Sequence, residues 1–281
     1  MMKKSKKIII TIVIIVAVVV CGGVAWYQLY KVPHDAAVAS FNKAESIVKK
    51  KNNELDQPIK ELKKVMDSGE KPYDEKTITN ATTTIAAAQE AEEKIPEMPS
   101  GTDDINKAIK KINTDIDYSD QIAAVQKAQK DLENSIQSLK QITNPAESFV
   151  IARLQKVSGI TGIQAVTEDN DPNGHLGKDG GYTASVYFTY DKVDQSQVFT
   201  SGRGDIVDKG NEGGGDVEVY ANVDDANKRN DYLGSLDGVG IASPGSHTVA
   251  GTCVVRTSDQ LPASQQNELT QNIINALIAI E

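Results

Sequence analysis

Twenty-three consecutive uncharged residues, Ile8 to Tyr30, constrain this chain more than any other feature. As a helix they rise about 35 Å, enough to cross a ~30 Å hydrocarbon core with some tilt. Eleven of the thirteen residues from Ile8 to Val20 are Ile or Val. Such a run is worth roughly −3 to −7 kcal/mol for insertion. Lys3, Lys4, Lys6 and Lys7 precede it, and Trp26, Tyr27 and Tyr30 close it. Lysines favour the cytoplasmic side, and amphipathic rings favour the headgroup layer. The pattern predicts a cytoplasmic tail over 1–7 and a single-pass signal-anchor helix over 8–30. Trp26, Tyr27 and Tyr30 would then lie at the membrane interface, with the remainder outside the plasma membrane.

Two other readings keep the same destination. Ile8–Val20 followed by Cys21 has the outline of a lipoprotein signal, although Val20 stands where a small residue is wanted. Cleavage near Gly23 or Ala25 would release a secreted protein. The uncleaved anchor is preferred because the apolar length exceeds an ordinary signal-peptide core.

Charge narrows the partners. The chain carries −9, and without the four leading lysines it holds 26 basic and 39 acidic residues, a net −13. There is no basic surplus to neutralise phosphates, which argues against nucleic acid. Three histidines and two cysteines leave almost nothing for zinc, haem or iron–sulfur ligation. Cys253 is the only cysteine beyond the apolar segment, so that part has no internal disulfide. A Gram-positive type of envelope suits such a protein better than a strongly oxidising compartment.

Composition then changes abruptly. Residues 31–145 hold two glycines, Gly69 and Gly101, whereas the rest of the chain from Ala146 holds 17. Scarce glycine fits long helices, and abundant glycine fits turns. The expected architecture is a multi-part α and α+β chain. It has a helical stalk over 31–145, as an antiparallel bundle or coiled coil, and an α+β domain with an antiparallel or mixed sheet over 146–281.

The stalk repeats a three-four apolar spacing. Val38, Phe41, Ala44, Val48, Leu55, Ile59, Leu62 and Met66 define a first helix, which Pro58 should kink or interrupt. Ile78 to Ile95 predicts a second helix ending at Pro96, and Ile105 to Ile116 a third. Ile122 to Leu139 predicts a fourth, stopping at Asn144-Pro145. Tyr73-Asp74, Ala86-Ala87-Ala88 and Val125-Gln126-Lys127-Ala128 through Leu139 resemble the FIVAR-type helical repeats of Gram-positive surface adhesins. That resemblance implies a surface stalk.

Strands are expected at Ile160–Val166, Tyr182–Tyr190, Asp216–Tyr220 and His247–Thr257, and helices at Phe149–Val157, Asp224–Leu236 and from Pro262 onward. Helices would lie on one face of the sheet. Asp225 and Arg229 stand i,i+4 and can pair. Thr167-Glu168-Asp169-Asn170-Asp171-Pro172-Asn173, Gly180-Gly181-Tyr182, Glu218-Val219-Tyr220, Asp225-Ala226 with Arg229 and Tyr232-Leu233, and Gly245-Ser246-His247-Thr248-Val249 resemble an uncharacterised exported domain of Gram-positive envelope proteins. The resemblance implies a location and brings no activity.

Asp169, Asp171 and Asn173 with Gly174 match the opening of a calcium loop, and Asp179 lies near its end. The closing bidentate ligand is missing, because Gly180 holds that position. The competing reading is a polar turn that caps its own backbone. A calcium ion is therefore the one cofactor considered. Arg203-Gly204-Asp205 spells an integrin-type tripeptide, and Gly213-Gly214-Gly215 lacks the lysine and helix of a phosphate cradle. Ser246 and His247 point to opposite faces of a strand and cannot form a nucleophile–base pair. No spacing singles out a carboxylate pair, and no catalytic residue is assigned. The expected function is display of a binding or assembly module on a helical spacer, with the lipid bilayer and an envelope protein, glycan or host surface as partners. The alternatives are a calcium-dependent adhesin and a cell-wall hydrolase with two carboxylates.

Overall fold

The computed structural model describes residues 2–238 and 244–281, with side chains from Ile9 onward. Helix α1 (Met2–Trp26) passes through a π-helical turn (Tyr27–Lys31) into α2 (Val32–Met66). Residues Ile9–Tyr30 are exposed throughout and form the one helix among the described residues long and apolar enough to span a membrane. At its end Trp26 stacks on Tyr30 at 5.9 Å between centroids.

The chain divides into two compact units, Met1–Asp67 with Thr79–Gln129, and Ser68–Ile78 with Lys130–Glu281. In the first unit, α2 runs through Pro58 without interruption, so of the two expected outcomes the break does not occur. Helix α3 (Lys76–Glu90) ends well before Pro96, and α4 (Thr102–Ile109) leaves Ile112 and Ile116 outside any helix. The reason is local. Tyr118 donates to Asn52 Oδ1 at 2.8 Å and accepts from the Glu93 amide at 2.7 Å, so the segment after α3 is held extended by side chains. Phe41, Val48, Ile105, Ala108 and Ile112 form the buried seam.

Helix α5 (Ser119–Gln141) matches the expected fourth helix. The division between units falls inside it rather than at 145. Ile142, fully buried, belongs to the core of the second unit. Gln141 Nε2 donates to the Leu277 carbonyl at 2.7 Å, and the Thr252 amide donates to the Ile142 carbonyl at 3.0 Å. A fragment of residues 146–281 is therefore expected to be at least about 3 kcal/mol less stable than one of 130–281, given the ~2–5 kcal/mol lost when a buried Leu or Ile is truncated. Urea denaturation of the two fragments measures this, and equal midpoints would count against it.

The second unit is a five-stranded antiparallel sheet in the order β1-β2-β3-β5-β4. Its strands are β1 (Ile160–Ala165), β2 (Tyr182–Tyr190), β3 (Gly214–Tyr220), β4 (Ser246–Ala250) and β5 (Cys253–Thr257). The single strand expected over 247–257 is a hairpin, because Gly251 takes φ +61° and reverses the chain. The reversal separates Val249 from Cys253 and Val255, which pack in a different cluster. A Cβ on Gly215 would lie 2.2 Å from the Arg256 carbonyl oxygen, so glycine is required where β3 enters the sheet.

Helices cover both faces, not one. Helices α6 (Glu147–Leu154) and α8 (Ala263–Ile278) cover Val186, Phe188, Val217, Val219 and Val255. Helix α7 (Val223–Gly234) lies on the opposite face, where Ala226 and Leu233 pack with Tyr187 and Val254. The two clusters alternate along each strand, as the two-residue period of a pleated strand requires. Cys253 sits in the α6/α8 core, and burial pushes its thiol up to about 12.

Candidate functional site

The face under α7 is built from polar side chains. Register alone aligns Gln164, Tyr187, Asp216, Arg256 and His247 as one row across all five strands. Glu218, two residues beyond Asp216 on β3, points to the same face. Both carboxylates are fully buried.

Arg229 of α7 decides how Glu218 is held. Its Nε donates to Glu218 Oε2 at 2.8 Å and its Nη2 to Oε1 at 2.7 Å. Tyr220 donates to Oε2 at 2.8 Å. Burial works against ionisation of Glu218, but Arg229 outweighs it and holds the carboxyl below the usual range. The expected Asp225–Arg229 pair does not form. Asp225 instead pairs with Lys228 at 3.0 Å and takes the Asn222 amide at 2.8 Å at the helix start.

Asp216 has no such partner. Arg256 Nη1 stands 3.4 Å from its Oδ1, beyond good hydrogen-bond geometry, and neither carboxylate oxygen has a hydrogen-bond partner. Burial pushes its carboxyl up to about 7; Arg256 opposes the shift and neighbouring Glu218 reinforces it. The charged form is costly wherever desolvation is not matched by donors.

Beside this row opens a cavity of about 450 Å³, lined by Tyr187, Arg229, Arg256, Asn211, Phe199 and Tyr232 among others. Its size lies in the ~300–1,000 Å³ range of small-molecule sites. Two polar atoms of its lining residues, Arg256 Nε and Asn211 Oδ1, are buried and have no partner. Phe199 and Tyr232 are 78% and 56% exposed. The Arg229 guanidinium lies over the Tyr232 ring, 5.6 Å from its centroid, within cation–π range. A second cavity of about 360 Å³ shares Asn173, Arg229 and Tyr232 with the first and adds His175, Tyr182 and Lys228.

Comparison of the chain with family models, curated proteins and solved structures gives no match. Its chemistry must be read from the site itself.

Loops wall the cavities, and each is held by its own acid. Asp208 accepts from the Gly204 amide at 2.8 Å and from the Ser201 amide at 3.1 Å. Those donors, with the Ser201 hydroxyl first, hold its carboxyl far below the usual range. Gln164 Oε1 accepts from the Ile206 amide at 2.9 Å, pinning the same loop to β1. Within it Arg203 pairs with Asp205 at 3.5 Å, and Asp205 accepts from the Asp208 amide at 2.7 Å. The integrin-type tripeptide is thus engaged within its own loop and, through Arg203 Nη2, with the Asn170 carbonyl at 3.3 Å.

In the 167–181 loop, Asp171 Oδ1 accepts from the Asn173 amide at 3.0 Å and Oδ2 from the Leu176 amide at 2.8 Å. The Tyr182 hydroxyl also donates to Asp171. This is the geometry of a polar turn capping its own backbone. Among the described residues, Asp169, Asp171 and Asp179 belong to no group of three or more His, Cys, Asp or Glu side chains able to hold a metal ion. Asn173 lines both cavities.

Neither Asp216 nor Glu218 is among the residues lining these two cavities. The carboxylates open to a ligand in the larger one are Asp208, Glu212 and Asp259. The arrangement sets polar and charged side chains beside two exposed aromatic rings.

Proposed function

We propose that this is a single-pass envelope protein, with residues 1–7 cytoplasmic, that displays its α+β unit as a binding module on a helical spacer. The reading rests on the long apolar helix behind four lysines and, above all, on the cavity beside the α7 face. Strands and a short helix present exposed aromatic rings beside polar and charged side chains at one place, which is what a recognition site needs. The Gram-positive surface setting follows the sequence resemblances.

Two experiments test this. Protease added to intact cells is expected to degrade the C-terminal half; protection that permeabilisation removes would reverse the orientation. A photoreactive phenylalanine analogue at Phe199, at the cavity mouth, is expected to give covalent adducts in living cells. The same analogue at Gln271, an exposed residue of α8, is expected to give none. Equal adducts at both positions, or none at Phe199, would reject the cavity as the binding site.

A further inference from the structure

The two cavities meet at Tyr232, and their shared residues identify what they take. The larger is lined by Lys209, Arg229 and Arg256 and by Asp208, Glu212 and Asp259. The lining charges match three to three, and buried Glu218 and Asp216 lie behind the two arginines. An anion would therefore meet no surplus of positive charge. The lining mixes donors such as Lys209 and Arg229 with acceptors such as Asp208, Glu212 and Asp259. A hydroxyl suits such a wall, since it both donates and accepts. The exposed rings of Tyr232 and Phe199 supply flat apolar surface. A pyranose ring has the matching character, with a C–H face that packs on an aromatic ring and hydroxyls around its edge. Because Tyr232 lines both cavities, a chain of several sugars can lie across it with a unit on either side.

We propose that the groove formed by these two cavities binds a neutral oligosaccharide, stacked on Tyr232 with Phe199 as a second platform. The proposal rests on the cavity being the binding site and names its ligand class.

Titration calorimetry on the full chain in a sugar-free zwitterionic detergent tests it. The probes are cellotetraose, N-acetyl-chitotetraose, tetragalacturonate and a neutral, end-blocked Ala-Asn-Ser-Gln peptide. At least one neutral tetrasaccharide is expected to bind, and Tyr232→Ala to weaken it about tenfold or more, with Tyr232→Phe staying within about twofold. Phe199→Ala should weaken it less. Both rings are exposed, so an unchanged melting temperature confirms that the variants fold. Binding of only the peptide or the acidic tetramer, sensitive to Tyr232→Ala, would overturn the saccharide and leave the cavity as the site. Saccharide binding indifferent to Tyr232→Ala would overturn the placement. No binding by any probe at millimolar concentration would overturn both.

Discussion

Glu218→Ala is expected to destabilise the second unit by about 3–5 kcal/mol, the usual penalty for removing one partner of a buried ion pair. Three donors converge on this carboxylate at 2.7–2.8 Å, two from Arg229 and one from Tyr220. Without it the Arg229 guanidinium, with 19% of its side chain exposed, keeps its charge but loses its counterion and faces Arg256. For a unit of this size the melting temperature should fall by roughly ten degrees, at ~2–4 °C per kcal/mol. Glu218→Gln keeps the volume and the Tyr220 bond and should fall between the two. The double change Glu218→Leu with Arg229→Met should recover much of the loss, because a buried pair replaced by apolar groups is often near neutral. Urea unfolding of residues 130–281 gives all four values. A single Glu218→Ala cost below about 1 kcal/mol would mean the pair is effectively solvated.

That ion pair also marks where reading from sequence stops. The alternation in Asp216-Val217-Glu218-Val219-Tyr220 correctly predicted a strand, and Val217 and Val219 do enter the main core. Alternation assigns residues to two faces but does not say which face meets water. Here α7 covers the polar face as well, and every residue of β3 is buried. The clue was available in the charges: Arg229 follows Glu218 by eleven residues, a span that a tight connection and two helical turns can close. The nearer acid, Asp225, drew attention because i,i+4 spacing is a local rule. Local rules likewise found β2 with its full span and the long α5, where one stripe persists for many turns. They failed at the end of α3 and at the 247–257 hairpin, where a hydrogen bond from the Glu93 amide to the Tyr118 hydroxyl and a single glycine at φ +61° override periodicity. The cavity was invisible to them altogether. Its walls come from residues 172–259, brought together only by the five-stranded register.

Asp216→Asn should change how stability depends on pH rather than merely its level. In the folded unit Asp216 keeps its proton up to about pH 7, because burial outweighs the attraction of Arg256. In the unfolded chain the proton leaves near the ordinary value of about 3.9. Between those limits the folded state binds more protons, so stability falls as pH rises, and above about pH 7 the loss is complete. Asparagine has nearly the same shape and does not titrate. The variant should therefore match the parent near pH 4 and exceed it by up to a few kcal/mol at pH 8, at about 1.4 kcal/mol per pKa unit. Glu218 acts in the opposite sense. Its stabilisation is present above about pH 4.3 and disappears only as acid protonates it below that value, so the two windows scarcely overlap. Thermal melts of parent and variant from pH 4.5 to 8.5 separate them, and parallel curves would show that Asp216 is ionised throughout. A neutral Asp216 also leaves Arg256 with Glu218, at 3.4 Å, as its remaining counter-charge.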